Sequence, residues 1–170
     1  ADLAPAGFSG FGGNCVRIMS VHGSKGLEFP VVFLCGTGRQ FNFDNRTDRP
    51  LLHPKLGFAC ARRDKETGIR FATVPQEALK IELRRLSLAE EMRILYVALT
   101  RAKENLVITC AKRDAEKYLS SLAPAARGGG RLDPFSVSAA RCEADWLFTA
   151  LLRHPDAADL RAAAGLEESC

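Results

Sequence analysis

Two stretches of this 170-residue chain gather side chains that could do chemistry. The first, Val16 to Phe33, reads Val-Arg-Ile-Met-Ser-Val-His-Gly-Ser-Lys-Gly-Leu-Glu-Phe-Pro-Val-Val-Phe. It offers a hydroxyl at Ser20, an imidazole at His22, a cation at Lys25 and a carboxylate at Glu28. Gly23, Ser24 and Gly26 are small enough for the backbone to approach a ligand closely. Loops of this kind at strand ends are where α/β sheets bind ligands. Taken alone, the segment also reads as a polar connection with no ligand. The second stretch, Glu90 to Lys103, reads Glu-Glu-Met-Arg-Ile-Leu-Tyr-Val-Ala-Leu-Thr-Arg-Ala-Lys. Its spacing predicts an amphipathic helix. Leu95, Tyr96 and Leu99 turn inward; Glu90, Glu91 and Arg93 lie on or near the polar side. The helix closes on Arg101, a fixed cation beside Thr100. Taken alone, this is equally a surface helix with charge pairs at helical spacing and a solvated arginine.

The elements that must position these residues alternate between strand and helix, which argues an α/β fold. Cys15 to Val21 alternates as a short strand that delivers Ser20 and His22 to its end. Pro30 to Cys35 is a continuous apolar run with β-branched residues, expected as a strand buried on both faces of a parallel sheet. Gly36 to Asp48 is a polar loop. Leu51 to Phe58 and Ile69 to Val74 are short strands around a charged turn at Arg62 to Gly68. Pro75 opens a long helix to about Lys103, with Leu79, Leu83, Leu86 and Met92 continuing the apolar spacing. Leu106 to Cys110 is a strand and Asp114 to Leu122 a short helix. Residues 1–14 and 123–134, rich in Gly and Pro, are linkers. Between them lies a domain over 15–122, and a helical extension follows over 135–170. In that extension Ser138 to Arg153 forms a helix with Trp146, Leu147, Ala150 and Leu151 on one side. The Ala-rich tail after Pro155 is expected to fray.

Composition narrows the class. With 46% hydrophobic and 26% charged residues, the chain is ordinary for a globular domain. A formal charge of +4 is compatible with nucleic acid without pointing to it. Cys15, Cys35, Cys60, Cys110, Cys142 and Cys170 show no Cys-x-x-Cys spacing. They read as reduced, mostly buried thiols of an intracellular, cytoplasmic protein. His22, His53 and His154 are scattered, so no metal site is expected. No run reaches the ~18 to 20 apolar residues of a membrane span. The chain opens Ala-Asp-Leu-Ala-Pro, without a signal peptide or an initiator Met, and is expected to be part of a longer protein. Gly7-Phe-Ser-Gly-Phe-Gly-Gly13 is not a phosphate loop, because no Lys-Ser/Thr follows and no strand precedes it.

Taken together the two stretches resemble motifs V and VI of the UvrD-like superfamily 1 helicases at most positions. The region between them, Leu51-Leu-His-Pro-Lys-Leu-Gly-Phe, and Ala144-Asp-Trp-Leu-Phe-Thr-Ala-Leu-Leu-Arg-His-Pro-Asp156 after them, resemble the AddA-type component of helicase–nucleases. The resemblance covers roughly residues 15–156. It implies a partial RecA-like motor domain, the later part of the second of two, with a parallel-type sheet flanked by helices. Carried over residue by residue, Arg101 matches the arginine finger that stabilises transition-state charge at the ATP γ-phosphate. Gly26 and Glu28 match the nucleotide-binding loop, Glu28 as the acid that contacts the ribose. Ser20 and His22 match positions on the single-stranded DNA track, where a hydroxyl or imidazole can bind a phosphate. Family members often carry Thr at position 20, and Ser keeps the hydroxyl. Glu91 matches a structural acid near Arg93.

The resemblance also implies motifs that this chain lacks. There is no Gly-x-x-x-x-Gly-Lys-Ser/Thr and no Asp-Glu Mg²⁺ motif in a strand context; Gly23-Ser-Lys-Gly26 has the wrong order. ATP and Mg²⁺ are therefore expected to serve an intact parent and not to bind this chain tightly on its own. The implied partners are single-stranded and duplex DNA, the first motor domain of the same parent, and an AddB-like subunit. Two rivals stand beside this reading: a plain UvrD-type repair helicase without a nuclease, and a non-catalytic DNA-binding or docking module on the same scaffold.

Overall fold

The computed structural model describes residues 15–43, 49–127 and 130–166. The linker over 1–14 with its Gly7 to Gly13 stretch, residues 44–48 of the expected polar loop, Gly128 and Gly129 of the second linker, and Cys170 lie outside the described residues. In chain order the elements are a single 3-10 turn, His22–Ser24, then β1 (Phe29–Leu34), β2 (Leu51–His53), β3 (Gly57–Ala59), β4 (Arg62–Arg63) and β5 (Arg70–Phe71). The long helix α1 (Val74–Leu99) and β6 (Ala102–Ile108) follow. Four further helices complete the chain: α2 (Ala115–Ala126), α3 (Pro134–Ser138), α4 (Glu143–Leu151) and α5 (Ala158–Ala163).

Strands β1 and β6 pair in parallel, from Phe29 opposite Ala102 to Leu34 opposite Ile108. Helix α1 lies between them in sequence, as a parallel pair requires. Its start is built locally. The Thr73 hydroxyl accepts the Gln76 N–H at 3.4 Å and donates to the Cys60 carbonyl at 2.9 Å. Pro75 falls in the first turn, where its missing N–H has no partner to lose. At the other end the Thr100 hydroxyl turns back to the carbonyls of Tyr96 and Val97, each at 3.0 Å. The chain then passes into β6 within two residues.

The main core joins Leu34 of β1 to Leu88, Leu95 and Ala98 of α1, and to Ala140 and Trp146. Burying a side chain the size of Leu95 contributes about 1.5–3 kcal/mol. The Trp146 indole N–H donates to the Val137 carbonyl at 2.8 Å, so its one polar group is satisfied inside. A second cluster of Leu119, Ala126, Leu152 and Ala164 joins α2, α4 and α5. A polar knot ties the later helices to the sheet. The Asp145 carboxylate accepts from the Tyr118 hydroxyl at 2.7 Å, the Arg141 N–H at 2.7 Å and the Cys142 thiol at 3.3 Å. Lys112, just past β6, donates to the Gly38 carbonyl at 3.0 Å and to Cys142 Sγ at 3.4 Å.

Several expectations change. Cys15 to Val21 forms no strand: residues 15–20 lie against no neighbouring strand among the described residues, and Val16 and Ile18 are 95% and 98% exposed. A strand needs a ladder partner, whatever its alternation. β1 is buried on one face only, since Val31 and Phe33 project into solvent. Leu51 to Phe58 is a hairpin, β2 against β3, rather than one strand. The Nδ1 of buried His53 accepts the Lys55 and Leu56 N–H groups at 3.2 and 3.0 Å and fixes that turn. The charged turn at Arg62 to Gly68 and the strand after it form a second hairpin, β4 against β5.

Helix α1 stops at Leu99, so Arg101 and Lys103 belong to the turn and the strand beyond it. Tyr96 is 69% exposed rather than inward, and Leu86 and Met92 are exposed as well. Arg93 pairs with Glu90 at 3.2 Å and not with Glu91. Helix α2 runs on to Ala126, into the span expected as linker. Of the helix expected over Ser138 to Arg153 only α4, Glu143–Leu151, forms; Ser138 ends the separate short helix α3, and Ala139 to Cys142 connect the two. The buried side of α4 is Ala144, Asp145, Trp146 and Thr149, whereas Ala150 and Leu151 are exposed. The tail forms α5, with Ala164 buried against Leu152, and does not fray within the described residues. Cys15, Cys35 and Cys60 are exposed and Cys142 is buried, so the thiols are not mostly internal. Cys35 follows β1 at the edge of the core, which explains its access to water.

Candidate nucleotide and DNA site

The first motif folds as a chain of small turns. The Ser20 hydroxyl accepts the Gly23 N–H at 3.2 Å, and the Ser24 hydroxyl donates to the Val21 carbonyl at 2.7 Å. The Ser24 N–H donates to the Ser20 and Val21 carbonyls, the Lys25 N–H to the His22 carbonyl, and the Leu27 N–H to the Ser24 carbonyl. Short hydroxyl side chains close such turns without competing for space. Ser24 is buried, while Ser20, His22 and Lys25 are exposed. The His22 imidazole has no hydrogen-bond partner among the described residues, so both ring nitrogens face solvent chemistry. Gly26 takes φ +81°, a left-handed conformation that a side chain would strain, with open space where a Cβ would stand.

The second motif meets the first through Arg101. Its main-chain carbonyl accepts the Phe29 N–H at 2.9 Å. Its guanidinium Nη1 donates to the Leu27 carbonyl at 2.9 Å. Arg101 therefore clasps the loop on both sides of Glu28. The guanidinium plane is set from its own side as well: Nε donates to the Val97 carbonyl at 2.9 Å and Nη2 to the Thr100 hydroxyl at 3.0 Å. A guanidinium has five N–H donors. Three are engaged here, which leaves two for an anion. Lys103, two residues on along β6, stands 3.5 Å from the Glu28 carboxylate. Both side chains are more than half exposed, so the pair orients Glu28 more than it stabilises the fold.

The structure thus brings Arg101, Glu28 and Gly26 together on one loop–helix junction. It places Ser20 and His22 at the start of that same loop, on the turn before Lys25. Thr100, read in the sequence only as the neighbour of Arg101, joins the site, as do Lys103 and the Leu27 carbonyl, which were not singled out there. Lys103 carried a usable signal, since residues 101 and 103 share a face if the chain is extended there. The Leu27 carbonyl carried none, because a backbone acceptor has no sequence signature. Among the described residues no three His, Cys, Asp or Glu side chains gather as a metal cage. No helix among the described residues is long and apolar enough to cross a membrane.

Comparison with known proteins shows the family. The profile of the UvrD-like helicase C-terminal domain matches residues 7–113, a span that contains both motifs. Over 166 residues the chain is 43% identical to the A component of an ATP-dependent helicase/nuclease of Ruminiclostridium cellulolyticum, covering 97% of this chain and 13% of that protein. It is 44% identical over 167 residues to the protein of the same name in Clostridium novyi, covering 98% of this chain and 14% of the relative. The protein of that name in Moorella thermoacetica is 44% identical over 169 residues, again with 97% of this chain covered and 12% of the relative. The chain spans about an eighth of the length of these relatives. With a profile match over more than half its residues and both motifs joined in one site, the chain belongs to the UvrD-like helicase C-terminal domain family.

Proposed function

We propose that this chain is the later part of the second RecA-like motor domain of an AddA-type, ATP-dependent DNA helicase/nuclease. The observation that carries the reading is the Arg101 clasp, which fixes a cation with two unused N–H donors beside Glu28. ATP is the substrate. Arg101 would meet its terminal phosphate and Glu28 its ribose, while Gly26 keeps the loop free of a side chain. Guanidinium geometry suits this task, because planar paired donors match a phosphate edge where an ammonium does not. The donor set fits an anionic, hydroxyl-bearing ligand and not a metal ion. In this reading the phosphate cradle and the Mg²⁺ ligands come from the first motor domain of the same parent.

Ser20 and His22 would face the single-stranded DNA track. One short loop then joins the DNA contact to the nucleotide contact, and a shift at either ligand is felt at the other. The parent would move along single-stranded DNA and open duplex ahead of it, in double-strand-break repair in the cytoplasm, partnered by an AddB-like subunit. The test uses the full-length protein. Arg101→Ala is expected to lower DNA-stimulated ATP turnover by at least ~10³ while nucleotide affinity is kept, because such a finger acts on the transition state. Near-normal turnover in that variant would remove Arg101 from the mechanism and the proposal with it.

A further inference from the structure

The β4–β5 hairpin carries four cations within ten residues, Arg62, Arg63, Lys65 and Arg70, all exposed. Its two register pairs are Arg62 opposite Phe71 and Arg63 opposite Arg70. Opposed residues of an antiparallel pair share a face with Cβ atoms about 4.5–5.5 Å apart, and like charges so placed are destabilising. Half of this short ladder is therefore a like-charge pair. Nothing in the hairpin relieves it. Arg63 Nε donates to the Gly68 carbonyl at 3.2 Å, which is a neutral acceptor. Asp64 is held in the turn by the Glu66 N–H at 2.9 Å. That bond, with the Thr67 hydroxyl, keeps its carboxyl below the ordinary range. None of the four cations lies within 4.0 Å of a carboxylate among the described residues. Along α1, in contrast, Lys80, Arg85 and Arg93 each meet a glutamate three residues away.

The hairpin also presents an aromatic ring and a fixed base. Phe71, 47% exposed, lies opposite Arg62 and on the other face from Arg63 and Arg70. The Thr73–Cys60 hydrogen bond of 2.9 Å ties the foot of the hairpin to the first turn of α1, the helix that leads to Arg101. Unneutralised cations beside an exposed ring are what a single-stranded nucleic acid needs. The cations take the backbone phosphates, and the ring stacks on any base.

We propose that the β4–β5 hairpin is a further contact for single-stranded DNA crossing its edge, with Arg63 and Arg70 engaging backbone phosphate on one face and Phe71, beside Arg62, stacking on a neighbouring base on the other. A phosphate between the two arginines supplies the charge their cross-strand pairing lacks. The inference rests on the reading of the parent as a DNA translocase, and it adds a contact outside motifs V and VI. The contact is independent of sequence, because neither phosphates nor stacking distinguish the bases.

The experiment measures binding of the full-length protein to labelled oligothymidylate across a salt series, beside a melting curve. Removing both phosphate contacts in Arg63→Ala/Arg70→Ala is expected to flatten the slope of log affinity against log salt by about 1.4, at ~0.7 per phosphate on a single strand. Arg63→Lys/Arg70→Lys keeps the charges and should keep the slope. Phe71→Ala should weaken binding about five- to hundredfold with the slope unchanged, as loss of one stacked base does. Arg70→Glu separates binding from folding. It converts the like-charge pair to an opposite-charge pair, so the melting temperature should not fall while DNA affinity does. An alanine pair with wild-type slope and affinity would overturn the proposal. So would an Arg70→Glu variant that binds like wild type, or one whose melting temperature falls. If the wild-type protein fails to bind the oligonucleotide at all, the translocase reading falls too; if only the variants behave as wild type, the hairpin contact alone is lost.

Discussion

Arg101 is held by three side-chain hydrogen bonds within its own chain, to Val97, Leu27 and Thr100. Its direction is therefore set before any ligand arrives, which is the condition for electrostatic stabilisation without reorganisation. Arg101→Lys tests this more finely than alanine does. A lysine keeps the charge but cannot hold all three acceptors in one plane. We expect ATP turnover of the full-length lysine variant close to that of alanine, measured as DNA-stimulated phosphate release. Recovery to near wild type would mean that charge alone suffices. At Gly26 the residue-scale constraint is backbone. The φ of +81° lies in open space, so Gly26→Ala meets no clash and adds only left-handed strain, about 1–2 kcal/mol. A melting temperature unchanged by that substitution would show that the loop relaxes freely. His22, solvent-facing on the same loop, should act differently. His22→Ala is expected to reduce DNA stimulation of the ATPase more than basal turnover, with no change in melting temperature. Equal losses in both activities together with a lower melting temperature would make it a packing residue instead.

At the scale of elements, α4 is locked to α2 and to the segment before it through Asp145. Burial acts to raise the Asp145 carboxyl, but the Tyr118 hydroxyl, the Arg141 N–H, the Cys142 thiol and the Arg141 charge outweigh it and hold it below its usual value. The same contact, with burial as the larger cause, pushes the Tyr118 phenol far up, so it stays a neutral donor. A carboxyl depressed in the folded state adds stability above its unfolded value of ~3.9, and that stability is lost as pH falls through the folded value. Asp145→Asn keeps one acceptor and turns an amide donor toward the Arg141 N–H. We expect it to cost about 2–3 kcal/mol at pH 7, with the gap to wild type closing below pH ~4. Melting curves from neutral pH down into the acid range would show this. A gap that does not change with pH would mean the charge of Asp145 adds nothing beyond its shape. Glu143, two residues earlier on α4, behaves in the opposite sense. Partial burial and the nearby Glu91 carboxylate raise it, so it opposes folding when ionised.

For the whole molecule, the described residues carry the Arg101 clasp on a two-stranded parallel sheet with one covered face. Val31 and Phe33 of β1 and Val107 of β6 lie on the bare face. The clasp holds a cation and a carboxylate, but the sequence contains no phosphate loop and no Mg²⁺ motif. The 170-residue chain by itself is therefore expected to release no phosphate from ATP above background, with or without single-stranded DNA. Turnover that disappears in Arg101→Ala would contradict this, because it would place a complete site within these residues.

What the sequence determined by itself is the family. Ser20, His22, Gly26, Glu28 and Arg101 could be picked out as candidates because their types and spacing follow motifs whose order is fixed along the chain. The parallel pairing of the two apolar runs was legible too, since a long helix separates them. Tertiary structure decided the rest. Helix α1 has apolar residues around most of its circumference, so periodicity alone could not choose between Leu95 inward and Tyr96 outward; packing on Leu34 and Trp146 chose. The alternation of Cys15 to Val21 marks a residue pattern and not a ladder, and no neighbouring strand stands there among the described residues. That Arg101 closes on the carbonyl of Leu27, 74 residues earlier, could be set only by folding. A backbone oxygen is present at every position, and distance in space is what makes one of them a partner.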